Sequence, residues 1–521
     1  MKKLLSFLFI TVFVLVLTAC GGGGGGGGGV SSSPSSGSPA GSTVSYAPAY
    51  TYNVPADKTS STAYLIRSNS SYMRSLSAPG ATSFSSIAIN ETDFVTEGSF
   101  APKRFAQNTE EWPVPGLISV SKNSPLYSIQ PKSYNIDDTE KFWVITNFTT
   151  SADEEKTFAL KKIGTHCRVW YDVTNPNGLI DSQLETIKDK LDAMFEVETT
   201  LCGSMVPTKN YSDVITITDT TKLEIVVYQM ESGLCGYFSP KDFTPAAAHS
   251  NKAPIIYITS ADTSPNMYST VSHEFDHLLN FVNKTLNHGL VQETWYTELL
   301  SNTIEEVLEN FNQVTGSVSV RSRLPYFLQY YNYGLYWNQD GPSYANVYAF
   351  GAWLLRNYGT TLSNGQYSGA MLFREIATNA YVNEESIVRA VNALNGTNET
   401  FASLRQKFME SLIYTEAGCG KANFNKAVYD TGFFDGVTIV MPSINLNSIV
   451  VIPGSNVSAD IASKLINCTA GSDYCGPCIL KPTAHYANIL PYGFEIQKLG
   501  NNLTQIEIPS GLYGDFTVDF K

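Results

Sequence analysis

The chain has 521 residues, of which 43% are hydrophobic and 12% aromatic, enough to build real cores and to exclude a wholly disordered polypeptide. Charged residues make up only 16%, well under the usual quarter, and the abundance of Tyr and Phe favours β-structure and a life outside the cytoplasm. The net charge of −13 repels phosphate backbones, so nucleic acid is set aside as a partner.

Residues 1–20 read as an export signal. Lys2 and Lys3 precede an apolar stretch from Leu4 to Leu17 that is too short to span a membrane, and no run of 18 apolar residues occurs elsewhere. Leu17-Thr18-Ala19-Cys20 resembles a bacterial lipobox, which implies lipidation of Cys20 and anchoring to a bacterial membrane; Gly21 carries no acidic signal for retention at an inner membrane. Residues 21–45, nine glycines and then Ser, Pro and Gly, form a flexible tether that cannot bury apolar surface. These features predict an extracytoplasmic protein, at the cell surface or outer membrane.

Three regions follow. Residues 46–160 are expected to be β-rich, with strands at 141–148 and 158–163. Residues 161–430 mix both periods. Strands are expected at 167–173, 213–218, 222–230 and 253–259, and a helix begins at Asp181 with Leu184, Ile187, Leu191 and Phe195 at helical spacing. Further helices are expected over 268–282 and 294–311, from a Ser343 cap to Gly359, and around 370–378, 384–394 and 401–415. Residues 431–521 return to strand patterns, at 437–441, 449–452 and 506–520, and are expected to form a C-terminal β-rich domain. Beyond Cys20 there are seven cysteines, so at least one thiol lacks an intrachain partner. Cys475-Gly-Pro-Cys478, set in strand pattern rather than at a helix N-terminus, is expected to join a structural disulfide with Cys468 nearby instead of doing redox chemistry.

The strongest chemical signal is His273-Glu274-Phe275-Asp276-His277. On a helix, residues i and i+4 stand about 40° apart and one turn up, so both imidazoles can reach one metal ion. Glu274 is displaced to the side, where it can take a proton from a water on that metal. Composition alone would produce this pattern roughly 0.003 times in such a chain, and it uses two of the six histidines. A third histidine at the spacing used by metzincins is absent, positions 280 and 283 being Asn. The next helix offers carboxylates at Glu293, Glu298, Glu305, Glu306 and Glu309. Its apolar stripe of Leu300, Ile304, Val307, Leu308 and Phe311 leaves Glu298, Asn302 and Glu305 on the opposite face.

His273 to Phe281, followed by Thr294-Trp-Tyr-Thr-Glu298-Leu-Leu-Ser-Asn302, resembles the gluzincin metallopeptidases and most of all the hyicolysin-type family. Those enzymes carry a motif close to H-E-[FY]-x-H-x-[IL]-N-F and a downstream W-x-x-E-x-x-S-like helix. Gly236-Tyr-Phe238 with Asp242, and Tyr348-Ala-Phe-Gly351 with Tyr358-Gly359, are similar to further landmarks of the family. The similarity covers about residues 165–415. It implies an α+β, zincin-like metallopeptidase domain at 161–430 with a mixed sheet, an active-site helix and a helical C-terminal subdomain.

The resemblance also implies one Zn(2+) per chain, held by His273, His277 and Glu298, with Glu305 as the alternative third ligand, and Glu274 as catalytic base. Two positions depart from the pattern. Asp276 puts a charge where zincins usually have none, on a side of the helix away from Glu274, and Thr297 replaces the Asn or Asp often found before the ligand glutamate. By the same resemblance, Pro254 to Thr259 would be the edge strand that pairs with an extended substrate, and Tyr296, Tyr344 and Tyr348 are candidates for stabilising the oxyanion. The implied activity is zinc-dependent hydrolysis of peptide bonds, with protein or peptide substrates and a membrane reached through the N-terminal lipid. The alternative is an adhesin-like surface lipoprotein in which the zincin domain is vestigial or secondary and the flanking β-regions bind.

Overall fold

The computed structural model describes residues 50–70, 76–77, 87–89, 127–128 and 132–521, the last stretch apart from short interruptions. The export signal, Cys20 and the glycine tether lie outside the described residues. In chain order the principal elements are β1 (Tyr50–Asn53), β2 (Ala63–Ser68), β3 (Thr139–Asn147), β4 (Ala152–Ile163), β5 (Cys167–Asp172), α1 (Asp181–Cys202), β6 (Leu223–Tyr228), β7 (Gly236–Phe238) and β8 (Ile255–Thr259). Then come α2 (Met267–Asn280), α3 (Thr294–Val307), α4 (Leu324–Tyr330), α5 (Gly341–Asn357), α6 (Gly369–Thr378), α7 (Asn383–Asn395) and α8 (Phe401–Glu410). The chain closes with β9 (Val428–Phe434), β10 (Val437–Met441), β11 (Phe494–Gly500), β12 (Gln505–Ile508) and β13 (Asp515–Phe520). This is an α+β arrangement.

Its centre is a mixed six-stranded sheet in the order β7-β8-β6-β5-β4-β3. β6 runs parallel to β5 and β8, whereas β3, β4 and β7 are antiparallel to their neighbours. The inner strands are buried on both faces, which explains their unbroken apolar runs. Val169, Ile225, Val227, Ile256 and Ile258 face the helices, while Trp170, Val226, Tyr228, Ile255 and Tyr257 join Phe142, Val144 and Phe158 on the other face. The helix face carries α2, which packs on β8 and β7 and lies against α1 and α3; α3 in turn packs on α5.

Several expectations shift when the chain folds. The strand at 255–259 is not an edge: β8 lies between β6 and β7, and β7 occupies the sheet margin beside it. The length and apolarity of Pro254 to Thr259 reflect burial on both sides rather than a free margin. Asp181 is the first helical residue of α1 rather than its cap; Gln183 Oε1 accepts the Ile180 N–H at 2.9 Å instead. Likewise Asp340, not Ser343, caps α5, accepting the Ser343 N–H at 2.9 Å. The expected disulfide does not form: Cys167, Cys202, Cys235, Cys419, Cys468, Cys475 and Cys478 are all free thiols. Six of the seven tyrosines between 326 and 348 are buried, and Tyr336 is exposed.

The boundary expected at residue 160 falls within β4, which pairs with both β3 and β5. β2 sits between β11 and β13, and β1 pairs with β12, so strands from the two ends of the chain share sheets. Arg67 of β2 forms a buried ion pair with Glu495 of β11 at 2.8 Å, across that same ladder. No helix among the described residues is long and apolar enough to cross a membrane.

Candidate active site

α2 forms because its apolar residues fall on one stripe. Val271, Phe275, Leu278 and Leu279 enter the core against the sheet and α1, while Phe275 stacks on Phe195 of α1 at 5.3 Å between ring centroids. That stripe fixes the rotation of the helix and turns His273 and His277 toward α3. α3 is fixed the same way by Leu299, Leu300, Ile304 and Val307. The residues it turns back toward α2 are Glu298, Ser301, Asn302 and Glu305, at i, i+3, i+4 and i+7.

His273, His277 and Glu298 converge, each offering one ligand atom within 4.8 Å of the others. His273 Nε2 lies 3.4 Å from Glu298 Oε2, and His277 Nε2 lies 3.3 Å from Glu298 Oε1. Tetrahedral ligands held about 2.0–2.1 Å from a common ion stand about 3.3–3.4 Å apart, and each histidine nitrogen stands at that distance from an oxygen of the Glu298 carboxylate. All three residues are buried. Burial disfavours charge on Glu298 and His277, but their mutual attraction outweighs it, holding the carboxyl well below its ordinary range and lifting the imidazole above its own. The group is therefore poised to exchange a proton for a cation.

The remaining contacts orient these side chains. His273 Nδ1 meets Glu305 Oε1 at 3.0 Å, so Glu305 stands behind the histidine rather than among the three converging groups. Arg323 holds Glu305 at 3.2 Å and also bonds Asn302, whose side-chain N–H donates to Glu298 Oε2 at 3.2 Å. His277 Nδ1 lies 3.1 Å from Ser301 Oγ, and the Ser301 hydroxyl donates to Asp276 Oδ2 at 2.6 Å. The sequence placed Asn302 and Glu305 on the same face of this helix as Glu298 but not in these roles, and it did not single out Ser301 or Arg323.

Glu274 is buried beside the same cluster, and its charge acts on His277. Gly236 of β7 lies directly against it: a Cβ there would stand 3.0 Å from Glu274 Cγ. β7 pairs with β8 on one side, and no described strand pairs with its other side. Because the Thr259 N–H donates to the Cys235 carbonyl at 2.8 Å, the antiparallel alternation turns the backbone groups of Gly236 and Phe238 away from β8.

The three tyrosines separate. The Tyr296 hydroxyl lies 3.1 Å from Ile376 O and 2.8 Å from Ser386 Oγ, and the Tyr348 hydroxyl donates to Glu306 Oε2 at 3.1 Å; both serve the packing of the helical subdomain. Tyr344 is tied to the cluster through Arg323, whose guanidinium lies 5.4 Å from its ring centroid.

No family model matches the chain. The chain is similar to the neutral metalloprotease ShpI of Staphylococcus hyicus, with 24% identity over 343 residues that cover 59% of this chain and 70% of the relative. That relationship agrees with a mixed helix-and-sheet, zincin-like domain and with a metal held by the His-His-Glu group.

Proposed function

We propose that the chain is a zinc-dependent endopeptidase, tethered outside the cytoplasm by a lipid on Cys20. The observation that carries the chemistry is the convergence of one ligand atom each from His273, His277 and Glu298 within 4.8 Å of one another, with Glu274 beside them. The similarity to a neutral metalloprotease supports proteins or peptides as substrates. Zinc bound by these three side chains would supply Lewis acidity, polarising an amide carbonyl and making water nucleophilic near neutral pH.

The chain's own groups do the rest. Glu274 accepts a proton from the water as its oxygen adds to the carbonyl carbon, then delivers that proton to the amine nitrogen as the tetrahedral adduct collapses and the C–N bond breaks. Tyr344 is the tyrosine retained as oxyanion donor.

Glu274→Gln separates binding from chemistry. The variant is expected to retain one zinc per chain and to lose casein cleavage by about 10²–10⁴-fold, the usual contribution of a positioned acid–base group. Hydrolysis at the wild-type rate would remove Glu274 from the base role.

A further inference from the structure

Asp276 is a carboxylate in an unfavourable place. It is fully buried between α1, α2 and α3, and no lysine or arginine among the described residues pairs with it. Its neighbours on α1 are themselves buried: Glu198 supplies no positive charge, and the Cys202 thiol gives Asp276 only a weak hydrogen bond. An isolated buried carboxylate is costly, so a group that compensates it is required. A cation-forming side chain that acts on Asp276 is His277, reached through one hydroxyl: Ser301 Oγ is 2.6 Å from Asp276 Oδ2 and 3.1 Å from His277 Nδ1.

The geometry points to Asp276 and Ser301 as positioning residues for the metal centre, acting in series on His277. We infer that His277 Nδ1–H donates to Ser301 Oγ and that the Ser301 hydroxyl donates to Asp276, a direction of donation that leaves Nε2 as the lone-pair nitrogen facing Glu298. The relay does three things. It fixes the tautomer a metal ligand needs, it holds the ring against rotation, and it places a negative charge two bonds of hydrogen bonding behind the imidazole, which strengthens that nitrogen as a donor. It also explains why a residue type foreign to the motif is tolerated in the middle of it: the Asp276 side chain leaves α2 on the side away from Glu274 and serves the ligand one residue on. Ser301 is placed for this by α3 itself, one turn beyond Glu298, so a single helix supplies both a ligand and the support of its neighbour.

The inference rests on the reading of His273, His277 and Glu298 as a zinc site, and the experiment keeps the two apart. Zinc dissociation constants are measured on the full chain by competition with a chromophoric chelator, for the wild type, Asp276→Asn, Ser301→Ala, Ser301→Thr and the Asp276→Asn/Ser301→Ala double variant. Ser301→Ala is expected to weaken zinc about 10–100-fold, the usual effect of removing such a partner. Ser301→Thr, which restores the hydroxyl, is expected to stay within a few-fold of wild type. Asp276→Asn is expected to give a smaller loss, because the amide oxygen still accepts, and to add almost nothing in the Ser301→Ala background, since two residues acting through one path are not additive. A Ser301→Ala chain that binds zinc as tightly as the wild type overturns the relay, and so do losses that multiply in the double variant. If the wild type itself takes up no zinc, the metal reading falls first. The apo forms are melted in parallel; should Ser301→Ala not fold, the comparison of Asp276→Asn with Ser301→Thr decides, the relay requiring that only the former weaken zinc.

Discussion

A methyl group added at Gly236 has no room. Its ideal position is 2.6 Å from Thr270 Cγ2, 2.8 Å from the Tyr257 carbonyl oxygen and 3.0 Å from Glu274 Cγ. The two side-chain atoms can give, but the carbonyl belongs to β8, which is held between β6 and β7. The strain is therefore shared between β7, which must lift off the helix, and Glu274, which must turn away. Overpacking of this kind costs about 1–3 kcal/mol. Displacing a reacting group by about 1 Å costs on the order of 10²-fold in rate. Gly236→Ala is thus expected to melt a few degrees below wild type, to keep its zinc, and to cleave casein or a quenched peptide about 10–100-fold more slowly at a temperature where it remains folded. Metal content, a thermal melt and kcat on the same preparation check all three. Wild-type melting together with wild-type turnover would show that the strand does not press on Glu274 and would refute the packing argument.

Two further expectations concern the helical subdomain. Arg356 is fully buried, with Nη2 2.6 Å from Glu306 Oε1 and Nη1 3.2 Å from Oε2. Arg356→Leu strands the Glu306 charge with only Arg321 and Tyr348 as partners, so a loss of about 3–5 kcal/mol is expected in denaturant unfolding, recovered in large part by Glu306→Gln/Arg356→Met. Unchanged stability would mean the pair is open to water. Tyr296→Phe and Tyr348→Phe are each expected to lose about 1–2 kcal/mol of stability, the scale of a buried hydrogen bond, while kcat stays within two-fold; a 10²-fold loss of kcat would return that hydroxyl to the chemistry.

How far these features were visible in the residues depends on how local their causes are. His273, Glu274 and His277 were legible because one turn of helix decides their geometry. The Leu300, Ile304 and Val307 stripe put Glu298 and Glu305 on one face of α3, and the choice between them came from the resemblance rather than from the spacing. The sheet order was not. β7 is three residues long and precedes β8 in the chain, yet it is added outside it, and nothing in Pro254 to Thr259 says which of its sides will be covered. The pairing of β2 with β11 and β13 joins residues more than 400 positions apart, which no periodicity reports. The cap of α5 slipped by three residues because Asp340 and Ser343 can both serve, and that of α1 by one because the Gln183 side chain, not that of Asp181, receives the first free N–H. Asp276 looked like an isolated departure because its partner, Ser301, comes from another helix.

The account stands most directly on a metal measurement. Crystals of the zinc-loaded chain, with diffraction recorded above and below the zinc absorption edge, are expected to show one anomalous peak between His273 Nε2, His277 Nε2 and the Glu298 carboxylate. A peak ligated by other residues, or none at this position in protein saturated with zinc, would contradict it.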